Sequence, residues 1–199
     1  DFATYVSMSE QLMNFLKQTA PVVEQYSIDE AFCDMTGTGL LYGDPVAFAH
    51  QLKDDILNRF GFTVNIGIST NKLLAKMASD FKKPDRVHSL FSHEIADKMW
   101  PLPVEDLFMV GRATARRLHR ININTIGDLA QADRGLLQRL FKSHGILIRQ
   151  YANGIDPTPV VPNGEIPQKG LGNSTTVDHD VSTAEEAHMI LLALTERVA

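Results

Sequence analysis

The feature that most constrains this chain is a change of periodicity near residue 100. Before it, short runs rich in β-branched and aromatic residues alternate with stretches of helical spacing. Between 104 and 153 the strand pattern is gone, and short helical stretches follow one another. Residues 5–19 set Val6, Leu12, Phe15 and Leu16 at near-helical spacing, and Pro21 stops them. Two strands are predicted over about 22–28 and 31–36, broken at Asp29-Glu30 and closed by Gly37 and Gly39. Asp44-Pro45 opens a helix that runs to Phe60 and ends at Gly61, and residues 62–69 alternate as a strand. Ser69 is the expected N-cap of a helix from Asn71 to about Phe81, with Leu73, Leu74, Met77 and Ala78 as its inner stripe. This order predicts a sheet domain covered by helices.

Pro101 and Pro103 bracket the link to a small all-α subdomain, in which a helix–short loop–helix pattern over 107–133 is loosely repeated over 136–154. Residues 154–168 hold four Pro and two Gly and read as a linker. Residues 169–181 then read as a strand, and Ser182 with Glu185 as a capping box before a helix with Ile190, Leu191, Leu194 and Val198 inside. That helix ends the sequence with nothing to pack against, so a third domain is expected to be cut short.

Charge divides the chain in the same places. The net charge of −5 argues against a nucleic-acid binder. Residues 61–150, however, carry fourteen Lys/Arg against eight Asp/Glu, between acidic flanks with three against nine and two against seven. A basic block of this kind says more than the total. No apolar run approaches the roughly 18 residues of a membrane helix, and no signal segment is present. The lone Cys33 excludes an internal disulfide, fits a reducing, cytoplasmic setting, and reads as a small buried strand residue.

Three groups of residues can carry chemistry. Asp29 and Glu30 are neighbours, and on an unbroken strand they would face opposite ways. At a hairpin tip both can aim at one cation, and carboxylates without His or Cys suit a hard ion such as Mg²⁺. An exposed acidic turn is the plainer alternative. The stretch 67–86 feeds a strand into a helix N-terminus with Lys72, Lys76, Lys82 and Lys83 close by, a setting for phosphate. It has no GxxxxGK[ST], and an amphipathic helix with solvated lysines remains open. Arg112, Arg116, Arg117 and Arg120 with His119 form an island free of acids, and Gly111 would let backbone N–H groups approach a phosphate. Asp178-His179-Asp180 falls in a strand-to-helix turn and reads as ordinary polar turn chemistry.

Together these residues resemble the Y-family (UmuC-like, ImpB/MucB/SamB) translesion DNA polymerases. Tyr26-Ser27-Ile28-Asp29-Glu30-Ala31-Phe32 with Asp34 resembles the family's second acidic motif. Gly67-Ile68-Ser69 through Asn71-Lys72, Ala75-Lys76 and Lys83-Pro84 resembles the next palm strand and helix. Gly111 with Thr114-Ala115-Arg116-Arg117-Leu118 resembles the helix-hairpin-helix thumb, and Lys169-Gly170-Leu171-Gly172-Asn173-Ser174-Thr175-Thr176 the strand that opens the little finger. The blocks stand in the family's order and spacing, and the Leu41-Tyr42-Gly43 insert looks most like the UmuC-type bacterial branch.

The resemblance implies an α+β fold. Residues 1–100 would be an incomplete palm, 101–155 the thumb, 156–168 a linker and 169–199 the start of an α/β little finger. It implies bacterial, cytoplasmic lesion bypass in the SOS response by two-metal (Mg²⁺) nucleotidyl transfer. Asp29 would bridge both metals, Glu30 would hold the metal at the primer 3′-OH, and Lys83 would contact the incoming deoxynucleoside triphosphate. Gly111, Arg112, Thr114, Arg116 and Arg117 would hold primer phosphates, with Gly172, Asn173, Ser174 and Thr175 along the template. A sliding clamp would bind through parts outside this chain. The family's first acidic motif would lie before residue 1, leaving these residues alone inactive. Met109 and Lys142 stand where the thumb turns often have Gly. The rival readings are a non-catalytic helix-hairpin-helix DNA-binding module and a cyclase-like palm acting on free nucleotides.

Overall fold

The computed structural model describes residues 2–162, 164–165 and 170–198. The chain divides into two compact units, 1–163 and 164–199.

The first unit opens with α1 (Phe2–Thr19), followed by β1 (Val22–Gln25) and β2 (Ala31–Asp34), an antiparallel hairpin pairing Val22 with Asp34 and Gln25 with Ala31. Burial on β2 pushes the Cys33 thiol up to about 11, which keeps it a protonated packing residue. A short turn of helix, α2 (Gly39–Tyr42), leads to α3 (Pro45–Phe60). The ends of α3 follow the expected chemistry: Asp44 accepts from the Ala47 N–H at 2.8 Å, Pro45 takes the first position, and Gly61 closes the helix in the left-handed region at φ 76°.

β3 (Ile66–Ile68), α4 (Lys72–Asp80) and β4 (Val87–Ser89) form a parallel strand–helix–strand unit, with Ile66 opposite Val87 and Ile68 opposite Ser89. Alternation predicts a strand over 62–69; only 66–68 forms one, because only there does β4, unmarked in the sequence pattern, supply a partner. Gly67 has a steric reason: a Cβ there would overlap the Ala75 carbonyl of α4. The N-cap also differs from expectation. Asn71, not Ser69, accepts from the Leu74 N–H at 2.8 Å, while the Ser69 hydroxyl is turned to the Leu90 carbonyl.

Three short helical turns lead to α5 (Arg112–His119), α6 (Ile126–Gln131) and α7 (Arg134–Ala152), the last kinked at Lys142. The expected stripe of α4 is buried: Leu73, Leu74, Met77 and Ala78 share one core with Leu90, Met99, Leu118, Ile126, Leu137 and Ile148. That core runs unbroken across residues 100–101. A second core of Leu12, Met13, Leu16, Val23 and Ile56 lies between α1, β1 and α3.

The second unit, described by itself, contains α8 (Ala184–Glu196). Thr183 caps it, accepting from Glu186 N–H at 3.2 Å, one residue later than the predicted Ser182/Glu185 box. The strand predicted over 169–181 is not formed among the described residues of the second unit, which hold no other strand for it to pair with. Lys169 lies outside the described residues.

Candidate active site

The break predicted at Asp29-Glu30 is the tip of the β1–β2 hairpin. Its loop is closed by the Tyr26 and Ser27 N–H groups, both donating to the Glu30 carbonyl at 2.9 and 3.1 Å. Residues 26–30 therefore leave the strand alternation. Asp29 is exposed, and its Oδ1 accepts from the Ser27 hydroxyl at 2.8 Å. Glu30 is half-buried and turns toward α4, where its Oε1 accepts from Lys76 Nζ at 2.7 Å. Lys76 also pairs with Asp80 at 3.0 Å, one turn on, and Asp80 pairs with Lys83 at 2.7 Å. Glu30 and Lys83, separated by 53 positions in sequence, are thus joined by a continuous chain of ion pairs along α4. Burial opposes the charge on Lys76, but hydrogen bonds to Glu30 and Asp80 outweigh it and raise its pKa above the ordinary lysine value. Burial would likewise raise the Asp80 pKa; the bonds from Lys83 and Lys76 win and hold it below the ordinary carboxylate value.

The base of the hairpin is fastened separately. Glu24 is buried and accepts from Lys72 Nζ at 2.9 and 3.0 Å and from the Val161 N–H at 2.9 Å. Of the residues predicted as a linker, 154–162 return to the β1–β2 hairpin and α4 through this bond and through Asn71 Nδ2 on the Gly154 carbonyl at 2.9 Å.

The second cluster lies at the start of α5. Gly111 is its N-cap, with no side-chain hydrogen bond to the cap, and a Cβ on Gly111 would meet nothing within 4 Å. Met109, where the turn would be relaxed by Gly, adopts φ 71° and is 49% exposed. Arg112 and Arg116 are exposed and Thr114 half-buried. Arg117 is exposed as well, but it is held in place: it donates to the Leu140 carbonyl and lies over the Phe141 ring at 4.5 Å. The two clusters are connected by aromatic contacts, since Tyr26 packs on Phe32 at 5.7 Å and on Phe108 at 6.0 Å.

Residues 1–80 match the model of the impB/mucB/samB family. The match places this segment of the chain in that family. The chain is 49% identical over 198 residues to a protein named DNA polymerase IV from Clostridium acetobutylicum, covering 99% of this chain and 49% of the relative. It is 42% identical to DNA polymerase IV from Clostridium kluyveri, covering 50% of that protein. The chain spans about half the length of the curated relatives it matches. Among solved structures it resembles DinB from Sulfolobus solfataricus with a TM-score of 0.73 at 26% identity, over 80% of this chain and 48% of that one. An insertion ternary complex of Dbh DNA polymerase gives 0.73 at 27%, over 80% and 47%.

The predicted residues fall into three groups. Asp29, Glu30 and Lys83 lie around α4, and Gly111, Arg112, Thr114 and Arg116 around the start of α5. Gly172, Asn173, Ser174 and Thr175 are exposed on irregular backbone in the second unit. Sequence reasoning did not single out Asp80, which pairs along α4, or Glu24 and Lys53, which pair across elements. Their only signal was charge at positions where helix or strand patterning called for an apolar residue or left the choice open. Among the described residues no group of three or more His, Cys, Asp or Glu converges to hold a metal, and no helix is long and apolar enough to cross a membrane.

Proposed function

We propose that the gene product carrying these residues is a DNA-directed DNA polymerase of the lesion-bypass type, extending a primer by two-metal nucleotidyl transfer. The observation that carries this reading is the ion-pair chain Glu30–Lys76–Asp80–Lys83. It ties a turn bearing two carboxylates to a lysine suited to a triphosphate. Asp29 and Glu30 offer only carboxylate oxygens, hard donors that fit Mg²⁺. Two carboxylates make up part of a magnesium shell, and water, substrate phosphates and further ligands would complete it. When bound, such ions lower the pKa of the primer 3′-OH and stabilise charge on the leaving pyrophosphate. In this reading Asp29 and Glu30 would hold the ions, Glu30 on the side of the primer 3′-OH. Lys76 keeps Glu30 oriented through one oxygen and leaves the other free. Lys83 donates to the incoming triphosphate, exchanging its bond with Asp80 for one with phosphate.

The primer backbone would lie against Gly111 and the N-terminus of α5, with Arg112, Thr114 and Arg116 beside it. Such contacts position a duplex without reading its sequence. Arg117 would support this surface through its bond to the Leu140 carbonyl. Gly172–Thr175 would run along the template, and a sliding clamp would engage segments outside these residues.

Primer extension by the intact gene product with Mg²⁺ tests the reading. Asp29→Ala and Glu30→Ala are each expected to lower kcat about a thousandfold while leaving duplex affinity intact. The 199 residues alone, with two of the needed carboxylates, are expected to bind duplex and not to extend a primer. A gene product that binds duplex but never extends a primer would instead be a bare helix-hairpin-helix module.

A further inference from the structure

The helix α3 buries Ala49, Lys53 and Ile56 at i, i+4 and i+7, so a lysine occupies a position where the pattern demands an apolar residue. The Lys53 side chain is only 11% exposed, and its ammonium reaches Asp54 Oδ1 and Asp85 Oδ1, both at 2.9 Å. Asp54 is its neighbour on the same helix and largely in solvent. Asp85 comes from far along the chain and is the partner that decides where the ammonium points. A buried cation is costly unless it is paired, so the position of Asp85 is bound to that of Lys53. Asp85 is itself unusual: its φ is 58°, the left-handed region that disfavours residues with a Cβ. Two departures from local preference therefore meet in one contact, and such coincidences concentrate at functional sites.

The contact sits two residues from Lys83. The segment leaving α4 is fixed on one side by the Lys83–Asp80 pair at 2.7 Å. On the other, the Arg86 N–H donates to Asn65 Oδ1 at 3.1 Å and the Ile66 N–H to the Arg86 carbonyl at 2.9 Å. Those bonds hold the start of β4. Lys53 and Asp85 bond the backbone between them to α3. The packing of α4 and the β3–β4 pairing have their own contacts and do not call for a buried charge.

We propose that Lys53 and Asp85 are positioning residues which fix the backbone carrying Lys83, so that the Lys83 ammonium meets the triphosphate of the incoming nucleotide. The proposal rests on the reading of Lys83 as a triphosphate-binding residue. Neither Lys53 nor Asp85 touches substrate; they act through the placement of Lys83. The pair should therefore affect nucleotide binding and leave both the DNA-binding surface and the chemical step largely alone.

The test is steady-state primer extension by the intact gene product carrying Lys53→Met, Asp85→Asn or both, with Lys83→Ala as reference. Methionine keeps the length of the lysine stem, and asparagine tolerates the left-handed backbone. The double variant removes both charges, so a folded protein is available even where one single variant is unstable. Each variant is expected to raise KM for the incoming nucleotide about tenfold with a smaller change in kcat, and the double variant no more than either single one. Primer–template affinity should stay at the parent's value. If Lys83→Ala raises KM while the Lys53 and Asp85 variants do not, the positioning role is overturned and the reading of Lys83 stands. If Lys83→Ala leaves KM unchanged, the reading of Lys83 fails and the inference with it. A fall in melting temperature with KM unchanged marks the pair as merely structural and also overturns it.

Discussion

The lysines around α4 and the arginines around α5 carry the same charge to different ends. Lys53, Lys72, Lys76 and Lys83 each pair with an acid across elements or along α4. The first three have side chains no more than 16% exposed. Among the described residues, by contrast, no arginine is in an ion pair with an acid: the carboxylates pair only with lysine or histidine. Arg112, Arg116, Arg120, Arg134 and Arg139 are exposed or half-buried at the surface. Charge in the α/β part is consumed in holding the hairpin, α3 and α4 in register. The arginines of the helical part have no acid partner among the described residues and, in the proposed reading, meet phosphate. A planar, always-ionised guanidinium is suited to bidentate phosphate contacts, whereas the lysine ammonium serves here as a compact internal clamp. The contrast also explains how a chain of net charge −5 presents a basic face.

The sharpest way to break the contrast is to remove one acid from the lysine side. Glu24→Ala leaves Lys72 buried without its partner and frees the Val161 N–H, so it should cost about 3–5 kcal/mol of stability in urea or thermal unfolding. Arg116→Ala, on an exposed helix face, should stay within about 0.5 kcal/mol of the parent. Equal destabilisation in the two variants would mean that the arginines are as embedded in the fold as the lysines.

The arginine side is probed by salt. Duplex affinity of the 199-residue chain should be independent of sequence and fall with salt. The log–log slope should drop by about one unit for each phosphate-binding arginine replaced, in Arg112→Ala and in Arg116→Ala. A slope unchanged in the double variant would make these ordinary solvated charges, and the contrast would lose its functional meaning.

How much of this was legible beforehand depends on the range of the forces involved. The hairpin break at Asp29-Glu30, the caps of α3 and the buried stripe of α4 were readable because turn chemistry and helical periodicity act over a few residues. β4 was not, since three residues of parallel edge carry no pattern of their own and exist only by pairing with β3. The site divided in the same way. Asp29, Glu30 and Lys83 were named through their motif, yet Asp80 and Lys53 were not, because each gains its meaning from a partner on another turn or another helix. Arg117 shows the converse case. Its spacing groups it with Arg116, and nothing local to it announces the Leu140 carbonyl, beside the Lys142 kink, to which it donates.

Arg117 is therefore the one member of the island that should behave like the lysines. Arg117→Ala removes a charged donor from the Leu140 carbonyl and a cation from the face of Phe141, and should cost about 1–2 kcal/mol of stability. Its salt slope for duplex binding should match the parent's. A slope reduced as far as in Arg116→Ala, with stability intact, would return Arg117 to the phosphate-contacting set.

The smallest expected effect isolates the middle of the ion-pair chain. Asp80 has a folded pKa below its ordinary value of 3.8 because the bonds from Lys83 and Lys76 outweigh the cost of its partial burial. For a carboxylate whose pKa is depressed on folding, the stabilisation is complete above the unfolded pKa and is lost as pH falls through the folded one. The stability difference between the parent and Asp80→Asn should thus be flat from neutral pH down to about 5 and shrink below about 4, where the parent's carboxylate takes up its proton. The side chain is 40% exposed, so water screens the pair and the difference should remain a fraction of a buried pair such as Glu24–Lys72. Unfolding measured across this pH range for the two proteins gives the curve directly. A difference that grew toward acid pH would mean that Asp80 is held protonated, and Glu30 and Lys83 would then be connected by something other than the charge on Asp80.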